Sequence, residues 1–293
     1  MTERFEVALV GDAILGETPV WDPVDKVLYW VDIVGEEVHR YDPSDGTDSR
    51  FNAGASVGCV ALANTGLIFA AGSQIIQSDV VGARRVASNE IFSDRRVRFN
   101  DGRVDPSGRF YVGTMDLSER DPLGALYCFR SDGAPSKVLD SLVVSNGLDF
   151  SDDGSVLYHI DSPKRIVKSY GVDATDGHLS HPRILFEIAE SLGEPDGLVI
   201  DAQGCLWISM WGGGKVIRFD SRGSILDSVA LPVSQPTGIT FGGTGLDELY
   251  VCSAREGLDA EQLAKEPLAG SIFRIPLSVP GRPTHLFGRS SLS

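Results

Sequence analysis

The chain repeats one short pattern six times. Segments reading DPVDKVLYW, ANTGLIF, DPSGRFY, SDDGSVLY, DAQGCLW and GGTGLDELY each join a turn of Asp, Asn or Gly to an apolar run carrying an aromatic residue. The aromatics fall at Tyr29, Phe69, Tyr111, Tyr158, Trp207 and Tyr250, at intervals of 40, 42, 47, 49 and 43 residues. Each unit then continues into a further strand-like run, such as EEVHRYDP, RIVKSYGV, GKVIRFDS or GSIFRIPL. Short alternating runs bounded by Gly and Asp turns are strand signals. A repeat of roughly 40 to 50 residues holding several strands matches a propeller blade, whose sheet packs against its neighbours around a central channel. The expectation is an all-β fold: a single six-bladed β-propeller domain over residues 1–293, with four-stranded antiparallel blades. A β-helix would need a much shorter repeat, and no long run shows the 3.6-residue period of a solenoid helix. Helix is expected to be scarce, with LDAEQLAKE at 258–266 as the best short candidate.

Propeller geometry turns this repeat into a statement about space. The innermost strand of every blade starts at the same end of the channel, so residues at equal phase converge although far apart in sequence. Stepping back eleven to thirteen residues from each aromatic gives Glu17, Val57, Asn100, Asn146, Asp196 and Thr237. Four of the six carry a carboxylate or carboxamide. Isolated Asn and Asp at strand starts commonly make only local turns, but three or more at one phase are expected to face one another. Glu17, Asn146 and Asp196 supply hard oxygen donors from three blades, a set that suits one divalent cation such as Ca²⁺, Mg²⁺ or Mn²⁺ and leaves coordination positions open to water. Two carboxylates at close range would repel without a cation between them. The connections Met115–Gly124 and Ala254–Gly270 should wall the same face, with Trp211 as an apolar flank or a packed core residue.

Charge narrows the partners. Lys and Arg number 26 against 41 Asp and Glu, a formal net charge of −15, and such a field repels nucleic-acid phosphates and anionic membranes. Neither nucleic acid nor membrane is an expected partner. The N-terminus lacks a basic segment followed by a long apolar run, and no stretch reaches the length of a bilayer span. A cytoplasmic location is the expectation. Cys59, Cys128, Cys205 and Cys252 form no CxxC pair and are expected to be buried free thiols.

Other motifs carry less. GASVG at 54–58 fits the G-x-S-x-G pattern with Ser56 as nucleophile, but that elbow needs a helix after the turn, and CVALANTGLIFAAG reads as two strands. WGGGKV at 211–216 lacks phosphate-loop spacing. DPSDGTD at 42–48 resembles a calcium loop but has Ala53 where a bidentate Glu is needed. The five histidines share no metal-ligand spacing.

The segments LGETPVWD, RFNDGRVDPSGRFYVGTM, SNGLDFSDDG, EPDGLVID, GGGKVIRFD and AREGLDAEQLAKEPLAGSIFRI together resemble the senescence-marker-protein, gluconolactonase and regucalcin family of six-bladed propellers. The resemblance spans nearly the whole chain. It implies a metal held by Glu17, Asn146 and Asp196, the trio reached by phase counting, as Ca, Zn, Mn, Mg or Fe(II). It further implies that Arg98 and Asn100 contact the substrate, with Glu119 as a further contact on a loop shorter than in regucalcin-like members. Thr18 stands where the family's LGEGP motif has Gly. The implied activity is hydrolysis of a small sugar lactone, such as a gluconolactone or pentonolactone, to its aldonic acid, with Asp196 as general base. Alternatives are a metal-dependent esterase acting on other lactones or organophosphates, and a non-catalytic metal-binding propeller.

Overall fold

The computed structural model describes residues 4–79 and 83–288. Its strands form six four-stranded antiparallel sheets, and the six innermost strands contact one another in an unbroken ring. The protein is a six-bladed β-propeller. Five blades are built from consecutive strands. The first, for example, runs Gly16–Asp22, Val27–Asp32, Glu37–Asp42 and Thr47–Asn52 from the channel outward. The last blade combines Pro236–Gly242, Glu248–Ser253 and Ile272–Pro276 with Glu6–Leu9 from the other end of the chain. Pairing of Glu6 with Arg274 and Val7 with Phe273 therefore closes the ring.

The repeated aromatics lie on the second strands and are fully buried for Tyr29, Phe69, Tyr111, Trp207 and Tyr250. Apolar faces of adjacent blades share clusters, one of them joining Val20, Tyr29 and Val31 to Val57, Val60 and Phe69. Burial between blades, at about 25 cal/mol per Å² of apolar surface, is the main force holding the ring. The one described α-helix, Ala260–Lys265, falls inside the expected segment. It starts with a capping box in which the Asp259 side chain accepts from Gln262 N–H and the Gln262 side chain accepts from Asp259 N–H.

Every innermost strand carries a register shift at the same place, just past the position found by phase counting: Glu17/Val20, Val57/Cys59, Phe99/Gly102, Asn146/Leu148, Pro195/Leu198 and Pro236/Ile239. A bulge adds a residue and bends the strand, and here it brings the inner strands into close approach. A Cβ on Gly147 would lie 2.3 Å from the Asp196 carbonyl oxygen of the next blade. Glycine is required there by the neighbouring backbone.

The far mouth of the channel is covered by the C-terminal segment. Arg282 donates to the carbonyls of Phe150 and Ile200, Thr284 Oγ1 to that of Trp21, and Phe287 exchanges backbone hydrogen bonds with Leu62 and Asn64. The segment thereby ties together inner strands from four blades.

The rejected motifs are ordinary structure. Ser56 precedes strand Val57–Leu62, which turns into strand Leu67–Ala71 without a helix. The segments 42–48 and 211–216 hold the turns at 43–46 and 212–214 and the strand ends that flank them. All four cysteines are free, three of them buried and Cys205 partly so. Among the described residues, no helix is long and apolar enough to cross a membrane.

Candidate active site

A cavity of about 100 Å³ opens where the inner strands begin. Glu17, Asn100, Asn146 and Asp196 line it from four blades, each no more than 8% exposed. The other two residues at this phase do not line it. Val57 packs into the core between the first two blades, and Thr237 Oγ1 donates to the Gly16 carbonyl.

Local contacts fix the polar side chains. Glu17 Oε2 accepts from Thr18 N–H at 3.0 Å, and Asn146 Oδ1 from Gly147 N–H at 3.2 Å. Asn100 Nδ2 donates to the Ser145 carbonyl at 3.1 Å, so the third blade is held to the fourth beside Asn146. Ser145 Oγ in turn meets buried His159 Nε2 at 2.8 Å. Arg98 Nη1 donates to Asn100 Oδ1 at 2.7 Å and to the Phe99 carbonyl at 2.9 Å. Arg98 also lines the cavity.

Burial, with the nearby charges of Asp196 and Asp101, pushes the Glu17 carboxyl well above the ordinary carboxylate range. Asp196 is likewise raised, first by burial and then by Asp101, with the Asn146 side chain and Arg98 opposing. Asp196 Oδ1 is buried without a hydrogen-bond partner. An unpartnered carboxylate oxygen beside a second buried carboxylate is an expensive arrangement for a protein alone. It is the arrangement a divalent cation relieves, and an all-oxygen set of two carboxylates and an amide fits such an ion. Among the described residues no group of three or more His, Cys, Asp or Glu side chains is placed to hold a metal; the set at this mouth has only two carboxylates, with the amide of Asn146 as the third donor.

All six sequence-derived site residues, Glu17, Arg98, Asn100, Glu119, Asn146 and Asp196, line this one cavity. Both expected wall connections contribute, through Met115 and Glu119 on one and Glu256 on the other. Trp211 lines the cavity and also packs against the core. Sequence reading missed Glu194, Glu256 and Ser162. Glu194 had a signal: it stands two residues before Asp196, as Arg98 stands two before Asn100, Val144 two before Asn146 and Leu15 two before Glu17. All four line the cavity, because side chains two apart on a strand share a face. Ser162 also had one, since Met115, Ser162 and Trp211 each lie four residues past a repeated aromatic. Glu256 sits on an irregular connection and had none.

Below the bulges lies a second chamber of about 50 Å³, lined among others by Asp101, Arg103, Asp149, Thr240, Arg282 and His285. Val20, Val60, Arg103, Asp149, Val199 and Thr240, three past each phase position, all line it.

Comparison with known proteins agrees with this geometry. Residues 15–255 match the family model described as SMP-30/Gluconolactonase/LRE-like region. The chain is 38% identical over 291 residues to a 6-deoxy-6-sulfogluconolactonase of Pseudomonas putida, covering 98% of this chain and 99% of the relative. It is 37% identical over 282 residues to regucalcin of Homo sapiens, covering 93% and 94%. Among solved structures, a calcium-binding protein, regucalcin, from Agrobacterium tumefaciens superposes with a TM-score of 0.91 at 27% identity, covering 96% of each chain.

Proposed function

The chain belongs to the SMP-30/gluconolactonase/LRE-like family, and on that premise we propose that it is a divalent-metal-dependent hydrolase that opens a small sugar lactone to its aldonic acid. Gluconolactonase-type relatives support sugar lactone hydrolysis as the activity. The metal dependence rests on one observation: Glu17 and Asp196 are buried at the same mouth, both with raised proton affinity, and Asp196 Oδ1 lacks any partner.

In this reading Glu17, Asn146 and Asp196 hold the ion. When bound, it supplies Lewis acidity, drawing electron density from the lactone carbonyl and making nearby water more acidic. Asp196 takes the proton of the attacking water at Oδ1 as the oxygen bonds to the carbonyl carbon, and returns it to the ring oxygen when the ring C–O bond breaks. Arg98 and Asn100 are tied to one another and to fixed carbonyls, so they present donors to the substrate's hydroxyls in a geometry already set before binding. Glu119 reaches the ring from its loop and accepts from a hydroxyl. Met115, Val144 and Trp211 exclude water from one flank.

A panel of aldonolactones, assayed after chelation and again with divalent ions restored, tests the reading. Chelator-sensitive hydrolysis that returns with metal and is lost in Asp196→Ala is the expected result. Metal retention without turnover of any lactone would indicate a binding protein, and equal rates in wild type and Asp196→Ala would remove Asp196 from the mechanism.

A further inference from the structure

The site cavity holds an uneven set of charges. Its lining includes five carboxylates, Glu17, Glu119, Glu194, Asp196 and Glu256, against one guanidinium, Arg98. Two of the carboxylates belong to the metal set, and a divalent ion bound there would offset both. The remaining three share the cavity with Arg98, and Arg165, which donates to the Gly193 carbonyl, stands near Glu194 outside the lining. Glu119, on the connection after Phe110–Asp116, Glu194, on an inner strand, and Glu256, on the connection after Glu248–Ser253, converge on this one cavity from three blades. Arg98 is also engaged by Asn100 Oδ1 and the Phe99 carbonyl. Among the described residues, Arg98 is the one Lys or Arg in the lining, and it shares the cavity with negative groups from three blades.

We propose that Glu194 and Glu256, with Glu119, form an acidic rim that selects the substrate by charge. Neutral lactones, and lactones bearing an amine, are admitted; lactones carrying a sulfonate, phosphate or carboxylate are rejected. The inference rests on the lactonase reading and gives its substrate class. It sets an expectation opposite to the activity named for the 6-deoxy-6-sulfogluconolactonase relative, because an anionic substituent here would meet more carboxylates than the one guanidinium of the lining offsets. Like charges brought together in a partly desolvated site are strongly unfavourable, and the same field draws cations in. Glu194 stands on the rigid inner strand and is partly buried, so it is the stronger determinant; Glu256 is exposed and more readily screened by salt.

The test uses the full chain with Ca²⁺ or Mn²⁺ added and three probes: gluconolactone, its 6-deoxy-6-sulfo analogue and its 2-amino-2-deoxy analogue. Wild type is expected to favour the neutral over the sulfonated lactone in kcat/KM by at least about tenfold at low ionic strength, with the amine-bearing lactone at or above the neutral one. In Glu194→Gln/Glu256→Gln that ratio should shrink about fivefold or more, chiefly through KM for the sulfonate, and added salt should narrow it in wild type but little in the variant. A merely structural role would not move a charge-dependent ratio. An unchanged ratio in the variant, or equal use of the sulfonate by wild type, overturns the proposal. Binding of the same three compounds, read as the shift in melting temperature, reports the charge preference even without turnover. Absence of turnover on all three with the preference retained in binding would therefore sink the lactonase reading and leave the rim standing.

Discussion

Gly238 lies so close beneath Glu17 that a Cβ built on it would sit 2.7 Å from Glu17 Oε2 and 2.5 Å from the Thr18 backbone nitrogen. The contact joins the last blade to the first across the seam where the ring closes, and it sets the depth at which the Glu17 carboxylate rests.

Gly238→Ala should consequently displace Glu17 without substituting any proposed ligand. Overpacking of this kind costs about 1–3 kcal/mol, so a lowered melting temperature is expected. The more telling result is loss of most of the stabilisation that divalent ions confer on wild type, read by thermal melting with and without metal. A variant that melts lower but keeps the full metal shift would show that Glu17 is not a ligand.

Replacing one of the paired carboxylates should have opposite effects with and without metal. Removing the Glu17 charge in Glu17→Gln relieves repulsion with Asp196 and Asp101, so the metal-free variant is expected to be at least as stable as metal-free wild type. Wild type at a hundredfold excess of ion over its dissociation constant gains about 2.7 kcal/mol, and the variant should lose this gain. Calorimetry of both proteins after chelation and after metal addition gives the four melting temperatures needed.

The pH dependence of stability follows from the same groups. Glu17, Asp196 and Asp101 all bind protons more tightly folded than unfolded, chiefly because they are buried, and Asp101 is pushed up to about 6. A raised folded pKa contributes stability that is full below the unfolded carboxylate value of about 4 and is lost as pH rises through the folded value. Metal-free protein should therefore lose stability as pH rises from about 4 to about 8, the value to which Asp196 is raised. Added divalent ion should flatten or reverse the slope, since it binds the ionised carboxylates and binds them better as pH rises. Chemical denaturation across that range, with and without metal, checks the sign.

Thr18 adopts φ of 38°, and its hydroxyl is buried without a partner. A β-branched residue in left-handed backbone costs about 1–3 kcal/mol, and an unsatisfied buried hydroxyl adds to this. Thr18→Gly removes both at an entropic cost of about 0.5–1 kcal/mol. A net gain of about 1 kcal/mol is expected, with the Thr18 N–H bond to Glu17 Oε2 retained and metal affinity kept. Denaturant titration measures the gain; a loss of stability would mean that the Thr18 methyl packs better than the backbone suffers.

Much of the site was legible before any fold was known, and the reason is specific. Glu17, Asn100, Asn146 and Asp196 share a repeat phase, and a ring of equivalent strands maps equal phase onto one height along the channel. Arg98 and Glu194 were readable by the same logic one step further, because a strand returns to the same face every second residue. The count stops working at the bulges. Beyond them consecutive residues, such as Asp101, Gly102 and Arg103, line the second chamber together, which alternation alone would not have given. Glu256 and Glu119 lie on connections whose paths depend on what they pack against, and no periodicity reaches them.

The amino-acid sequence by itself determined the number of blades, their order and the height at which the polar ring sits, because these follow from repeat spacing and strand periodicity, which are local properties of the chain. Only the tertiary structure decided that Asp196 Oδ1 is left without a partner, that the C-terminal segment covers the far mouth, and that three further glutamates line the cavity with Arg98. Each of those depends on distances between residues from different blades, and such distances exist only once the ring has closed.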